Sequence, residues 1–228
     1  MKTIAIALLL CAGAWVTRAA APTPALKDIV ARLDRGASKF QSMSSDVERT
    51  RYTAVLNDKS TETGVVRMRK LPRGVEGVME IAQPDKKTYA FAGKEIDIYY
   101  PQMKSVDIYN AGEKGEELEN FITLGFGTPG SELEKNYSMQ IAGQDTVDGK
   151  PATRLVLAPK SADAKKLIKE VDLWIPEDAS HPIQEKIVEP SGDYTQVTYK
   201  NLQINPNLKE QEYKLSLPKG VKKNHPQQ

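Results

Sequence analysis

The sequence predicts a mainly β (α+β) fold, and three observations carry that prediction. From Ser42 onward apolar and polar residues alternate with period two in short segments separated by Gly, Pro and Asp, the signature of antiparallel strands with one wet face. Ahead of them Leu26, Ile29, Val30, Leu33, Ala37 and Phe40 recur at helical spacing, with Lys27, Asp28, Arg32, Asp34 and Arg35 on the other faces, so an amphipathic helix leads into the sheet. The alternation breaks around residues 115–134, where two short helical segments flank a glycine-rich loop.

The chain opens on a secretory leader. Lys2 gives a basic start, residues 4–10 and 12–16 are apolar, and Ala19-Ala20-Ala21 supplies small residues for cleavage. Residues 1–20 are therefore expected to be removed, leaving one exported domain over 21–228. Cys11, the only cysteine, lies inside the leader. Acylation there would tether the protein, but Leu10 occupies the preceding position, where a small residue is usual, and the apolar run continues to Val16. An exported chain without cysteine must draw its stability from packing and backbone pairing, which suits an extensive sheet.

Strands are predicted over 65–69, 75–81, 88–91 and 95–100, with turns at Gly93-Lys94 and Pro101-Gln102. In the last of these, Ile96, Ile98 and Tyr100 alternate with Glu95, Asp97 and Tyr99, which gives one apolar and one wet face. Residues 116–124 read as a short helix with acidic residues in its first turn, suiting the helix dipole. Ser131 and Glu134 have capping-box spacing for a second. Strands resume over 138–142, 153–157, 170–175, 183–189, 194–199 and 212–217, with a hairpin turn at Asp148-Gly149 and a helical excursion after Pro159-Lys160-Ser161. Residues 224–228 read as a frayed tail.

Several function classes fall away. The 32 basic residues drop to 30 once Lys2 and Arg18 leave with the leader, against 30 acidic ones, and no Lys/Arg block exceeds a pair, so nucleic acid is not a partner. Beyond the leader no apolar run reaches the roughly 18 residues of a membrane span, so stable membrane insertion is not expected. Gly125 to Gly130 satisfies the Gly-x-Gly-x-x-Gly pattern, but it follows a helix and contains Pro129, whereas a dinucleotide loop follows a parallel strand. His181 precedes Pro182 in a turn and His225 lies in the tail, so no catalytic triad, metal site or cofactor is predicted. The acidic residues leave an exported carbohydrate-active enzyme open, with no carboxylate pair singled out. Trp174 and the tyrosines, at alternate strand positions, read as packing residues.

Taken in order, several local patterns resemble the LolA family of periplasmic lipoprotein carriers. Residues 63–72, Thr-Gly-Val-Val-Arg-Met-Arg-Lys-Leu-Pro, are similar to that family's Gly to basic-Pro strand. Asp85 and residues 93–101, Gly-Lys-Glu-Ile-Asp-Ile-Tyr-Tyr-Pro, resemble its Tyr-x-Pro hairpin. Val147-Asp148-Gly149-Lys150 followed by residues 155–160, Leu-Val-Leu-Ala-Pro-Lys, is similar to its Leu-x-Pro-Lys segment, and Leu173-Trp174-Ile175, Pro182-Ile183-Gln184 and residues 217–221 continue the similarity.

This resemblance implies an incomplete, strongly curved antiparallel β-barrel with the N-terminal helix and short helices as a lid. It implies a monomeric periplasmic protein, not an enzyme, that carries acylated lipoproteins from an inner-membrane lipoprotein-releasing transporter to an outer-membrane acceptor. Val66, Met68, Val75, Met79, Ile96, Ile98 and Tyr100 would line the acyl cavity, with Phe121, Ile122, Leu124 and Phe126 from the lid. Arg69 or Lys70, by position, would latch that lid. A regulatory module sensing lipid or lipoprotein on the same fold is the alternative.

Overall fold

The computed structural model describes residues 25–110, 112 and 124–226. Helix α1 (Leu26–Lys39) is followed by β1 (Ser42–Thr53), β2 (Asp58–Lys70), β3 (Val75–Gln83), β4 (Lys87–Ala92), β5 (Glu95–Tyr100) and β6 (Ser105–Asn110). After α2 (Gly130–Asn136) come β7 (Tyr137–Val147), β8 (Lys150–Pro159), α3 (Ala162–Leu167), β9 (Glu170–Pro176), β10 (Gln184–Val188), β11 (Tyr194–Ile204) and β12 (Lys222–Asn224). The twelve strands of the described residues form one sheet in the order β12-β6-β5-β4-β3-β2-β1-β11-β10-β9-β8-β7. Its two ends do not pair, so the curved sheet is an incomplete barrel. Every neighbouring pair is antiparallel except β12 with β6.

Antiparallel alternation sorts the connections onto two rims. The β1–β2, β3–β4, β5–β6, β8–β9 and β10–β11 connections share one rim, and β2–β3, β4–β5, β7–β8 and β9–β10 share the other. The Asp148-Gly149 turn takes positive φ at both residues, 47° and 76°, as a two-residue hairpin requires.

Side-chain alternation defines an inner face, the one α1 covers. Ile29 and Leu33 of α1 pack with Leu133 of α2 on Leu155, Leu157, Leu173 and Ile175 of β8 and β9. Gly130 permits the approach of α2 to α1, since a Cβ there would lie 2.6 Å from the Val30 carbonyl. A second inner cluster joins Phe40, Met43, Val47, Val66, Met68, Val75 and Phe126. A small outer cluster holds Val147, Ala152, Trp174 and Ile183.

Three expectations are corrected. Asn224, read as the start of a frayed tail, lies in β12, where it pairs with Asp107 of β6 and donates to its carboxylate at 2.7 Å. The capping box at Ser131 does not form: Pro129 is the N-cap, and Ser131, inside the helix, donates through its N–H and hydroxyl to Asp34 of α1 at 3.0 and 2.9 Å. An acceptor on the neighbouring helix replaces the local one. Nor do residues 212–217 form a strand. Glu210–Tyr213 is a 3₁₀ turn in a segment that crosses the outer face of β2 to β4, with Tyr213 buried beneath Arg69. Pro206 and Pro218, lacking ladder N–H groups, flank this segment and disfavour continuous pairing along it. The expected helix over 116–124 falls on residues that, apart from Leu124, lie outside those described.

Candidate functional site

On the inner face between β3 and β6 a contiguous set of apolar side chains is half-exposed. Cross-strand register builds two rows. Met79 stands opposite Tyr89, and Tyr89 opposite Ile98; Gly77 stands opposite Phe91, Phe91 opposite Ile96, and Ile96 opposite Tyr109. Met79, Tyr89, Phe91, Ile96, Ile98, Tyr100 and Tyr109 are all neither buried nor exposed. Gly77 creates room at the boundary with the core: a Cβ there would lie 2.6 Å from Phe91 Cζ. The Phe91 ring therefore lies across the glycine and extends the Met43, Met68 and Val75 cluster towards β5.

A charged belt bounds this patch on the inner face. Arg49 donates to Glu62 at 2.7 Å, Lys87 pairs with the same carboxylate, and both cations lie over the Tyr89 ring, at 5.7 and 5.5 Å from its centroid. Burial pushes the Glu62 carboxyl up, but hydrogen bonds from Lys87 and Arg49 outweigh it and hold it below the usual carboxylate range. The Tyr100 phenol is pushed up by burial and by Asp107 across the β5–β6 ladder.

Between the two inner clusters lies a group the sequence did not single out. Glu185 of β10 is 6% exposed and stands opposite Leu173 and Val197. The Tyr199 hydroxyl donates to it at 2.6 Å, and Tyr199 meets Phe126 edge to face at 5.0 Å. Burial pushes the carboxyl up to about 8, against the lowering effect of the Tyr199 hydrogen bond. At neutral pH Glu185 is mostly an uncharged acid inside an apolar floor. His181 stacks on Phe126 at 6.1 Å, and burial holds its imidazole below the usual histidine value, so it too is mainly neutral.

The strand residues predicted to face the cavity all lie on this inner face. Val66, Met68 and Val75 are closed into the core with Phe126, whereas Met79, Ile96, Ile98 and Tyr100 belong to the half-exposed patch. Leu124 is 1% exposed and packs in the α1 cluster. Phe121 and Ile122 fall outside the described residues. Arg69 lies on the outer face, where it binds Glu76 through Nε at 2.6 Å, reaches Glu210 at 3.0 Å and stacks on Tyr213 at 5.4 Å. The structure thus directs its guanidinium to the 205–221 segment rather than to the 124–130 loop. Lys70 is exposed.

Trp174 packs on the outer face, its N–H donating to Asp145 at 2.8 Å and Arg154 lying 5.5 Å over its ring, which makes it a packing residue. Among the described residues no cluster of His, Cys, Asp and Glu converges as a metal site, and no helix is long and apolar enough to cross a membrane. The patch has the chemistry of an apolar receptor.

No family profile matches the sequence, and no curated protein matches it. Solved structures do match its backbone. MucB superposes with a TM-score of 0.51 at 14% identity, over 84% of this chain and 62% of MucB, so the chain spans less than two thirds of MucB's length. An uncharacterized conserved protein from Thermus thermophilus superposes with a TM-score of 0.51 at 14% identity, over 87% of this chain and 98% of its own. A LolA superfamily protein from Nitrosomonas europaea aligns over 85% of this chain and 99% of its own at 10% identity, with a TM-score of 0.39. At such identities a likeness concerns the fold alone. The backbone shared with MucB and the Thermus thermophilus protein is an open curved sheet with a helix on its inner face.

Proposed function

We propose that the protein is a periplasmic carrier that holds lipoprotein acyl chains on the inner face of β3 to β6 and moves lipoproteins from the inner to the outer membrane. The observation that carries this reading is the half-exposed patch of Met79, Tyr89, Phe91, Ile96, Ile98 and Tyr100 on one face of an open sheet. Core side chains would be covered, and a solvated sheet face would be polar. An apolar face left partly open suits a ligand that itself avoids water, each methylene buried being worth about 0.8 kcal/mol. Met79 adds a flexible thioether that adapts to irregular chain packing.

The patch offers binding without a catalytic step and without a cofactor. Residues 1–20 would direct export and then be cleaved, leaving a diffusible monomer over 21–228 that takes cargo from an inner-membrane transporter and yields it to an outer-membrane acceptor. The test is capture of a lipoprotein in acylated and unacylated forms, with native mass spectrometry of protein recovered gently from envelopes. Preferential capture of the acylated form, lost in Ile98→Asp, is expected. Equal capture of both forms and no lipid-sized adduct would overturn the reading.

A further inference from the structure

The large hydrophobic residues that stand out in water among the described residues are Val55, Leu56, Met103 and Leu167, at 89%, 71%, 66% and 40% exposure. Strand alternation places all four on one rim. Val55 and Leu56 are in the β1–β2 connection, Met103 in β5–β6 and Leu167 in β8–β9. Sheet order then spaces them evenly: four strand positions separate the β5–β6 tip from the β1–β2 tip, and four more separate that from β8–β9. At roughly 4.8 Å per strand, neighbouring apolar points are about 19 Å apart along the sheet.

Two of these tips are built to the same plan. Ala54–Leu56 and Pro101–Met103 are 3₁₀ turns, each closed by a left-handed residue, Asn57 at φ 49° and Lys104 at φ 48°. The cap N–H returns to the first residue of the turn at 3.1 and 3.2 Å. Each turn therefore presents a large apolar side chain, Leu56 or Met103, immediately before its cap. These are short, hydrogen-bonded projections, and their apolar ends contribute little to the core.

Around them unpaired lysines outnumber unpaired carboxylates among the described residues, five to three, an excess that suits an anionic surface. Lys59, Lys86, Lys104, Lys165 and Lys169 lie on this rim and make no ion pair among the described residues. Asp58, Asp85 and Glu170 sit there as well without ion pairs among the described residues, Asp163 is paired with Lys166, and Glu189 and Asp193 are paired with Arg51. Apolar points that can enter the acyl boundary, ringed by lysines at headgroup level, are the two signals that together give reversible attachment to an anionic bilayer.

The geometry points to this rim as a docking surface for an anionic lipid bilayer, on which the protein lands through three apolar tips without inserting a helix or strand. The docking is independent of whether the inner face holds acyl chains. It is tested by flotation of the purified protein with vesicles of phosphatidylethanolamine and phosphatidylglycerol at 70:30, and with phosphatidylcholine vesicles. Wild type is expected to float with the anionic vesicles at low salt and to be released by added salt. Val55→Ser combined with Leu56→Ser and Met103→Ser is expected to weaken flotation at least tenfold while leaving the melting temperature and capture of acylated lipoprotein unchanged. Absence of flotation in wild type, or equal flotation of the triple variant, would overturn the docking surface and leave the carrier reading standing. A rim that binds only a protein partner would give the first of those results.

Discussion

The Tyr199 hydroxyl donates to Glu185 at 2.6 Å in an interior where the carboxyl has no cationic partner among the described residues. The arrangement ties the stability of the inner face to the protonation of one side chain. Glu185 binds its proton more tightly folded than unfolded, with about 8 in the native state against an ordinary value of 4.5. Between those values the folded chain holds the extra proton, so this stabilising contribution is fully present below about 4.5 and is lost as pH rises to about 8. The slope approaches about 1.4 kcal/mol per pH unit inside that window. Thermal unfolding from pH 5 to 9 should show the wild type losing stability as pH rises. Glu185→Gln should flatten that decline and melt higher than wild type at pH 8.5.

Gly77→Ala should cost about 1–3 kcal/mol by overpacking. The added methyl would meet the Arg67 carbonyl across the β2–β3 ladder and the Phe91 ring, and neither can move without breaking register or leaving the patch. Denaturant titration gives the stability change, and acyl-chain capture should fall in the same variant because Phe91 is displaced.

Core and patch should separate in mutational cost. Leu173→Ala, at a site 0% exposed between α1 and the sheet, should destabilise by about 2–5 kcal/mol. Ile98→Ala, at a half-exposed position with fewer atoms to lose contact with, should cost well under half of that while reducing acyl-chain capture. Chemical denaturation beside a ligand-binding assay distinguishes the two outcomes.

Arg69→Ala should loosen the segment over 205–221 by removing the ion pairs to Glu76 and Glu210 and the stack on Tyr213. These groups are partly exposed, so the global cost should be about 1 kcal/mol. The local effect should be larger: hydrogen exchange and proteolysis are expected to accelerate across 205–221, with the inner face unchanged.

The strand pattern was legible because apolar side chains recur at every second position along the inner face. In β5 the alternation separated Ile96, Ile98 and Tyr100 from Glu95, Asp97 and Tyr99, and the structure continues the first face through Tyr89 and Phe91 of β4. The second face is not wet as expected, since Tyr99 and its β6 partner Val106 are buried. Residues whose role depends on distant partners were not legible. A glutamate in a strand reads as solvated, and only packing against Leu173, Val197 and Tyr199 reveals Glu185 as interior. Arg69 beside the Pro72 step suggested the lid, but alternation turns it outward, opposite to Met68, towards acceptors some 140 positions later in the chain. The 212–217 alternation misled for the same reason, since Tyr213 is buried against the back of another strand rather than in a ladder.

The parallel pairing of β12 with β6 also bears on how the protein comes together. Asn224 donates to Asp107 at 2.7 Å across 117 positions of sequence, so this contact closes a long loop. Until it forms, β6 presents a row of unsatisfied backbone donors and acceptors, and an open strand edge is a template for other chains. A chain folding as it emerges would complete β1 to β6 first and seal that edge last, so β6 stays open to other chains until residues 222–224 dock.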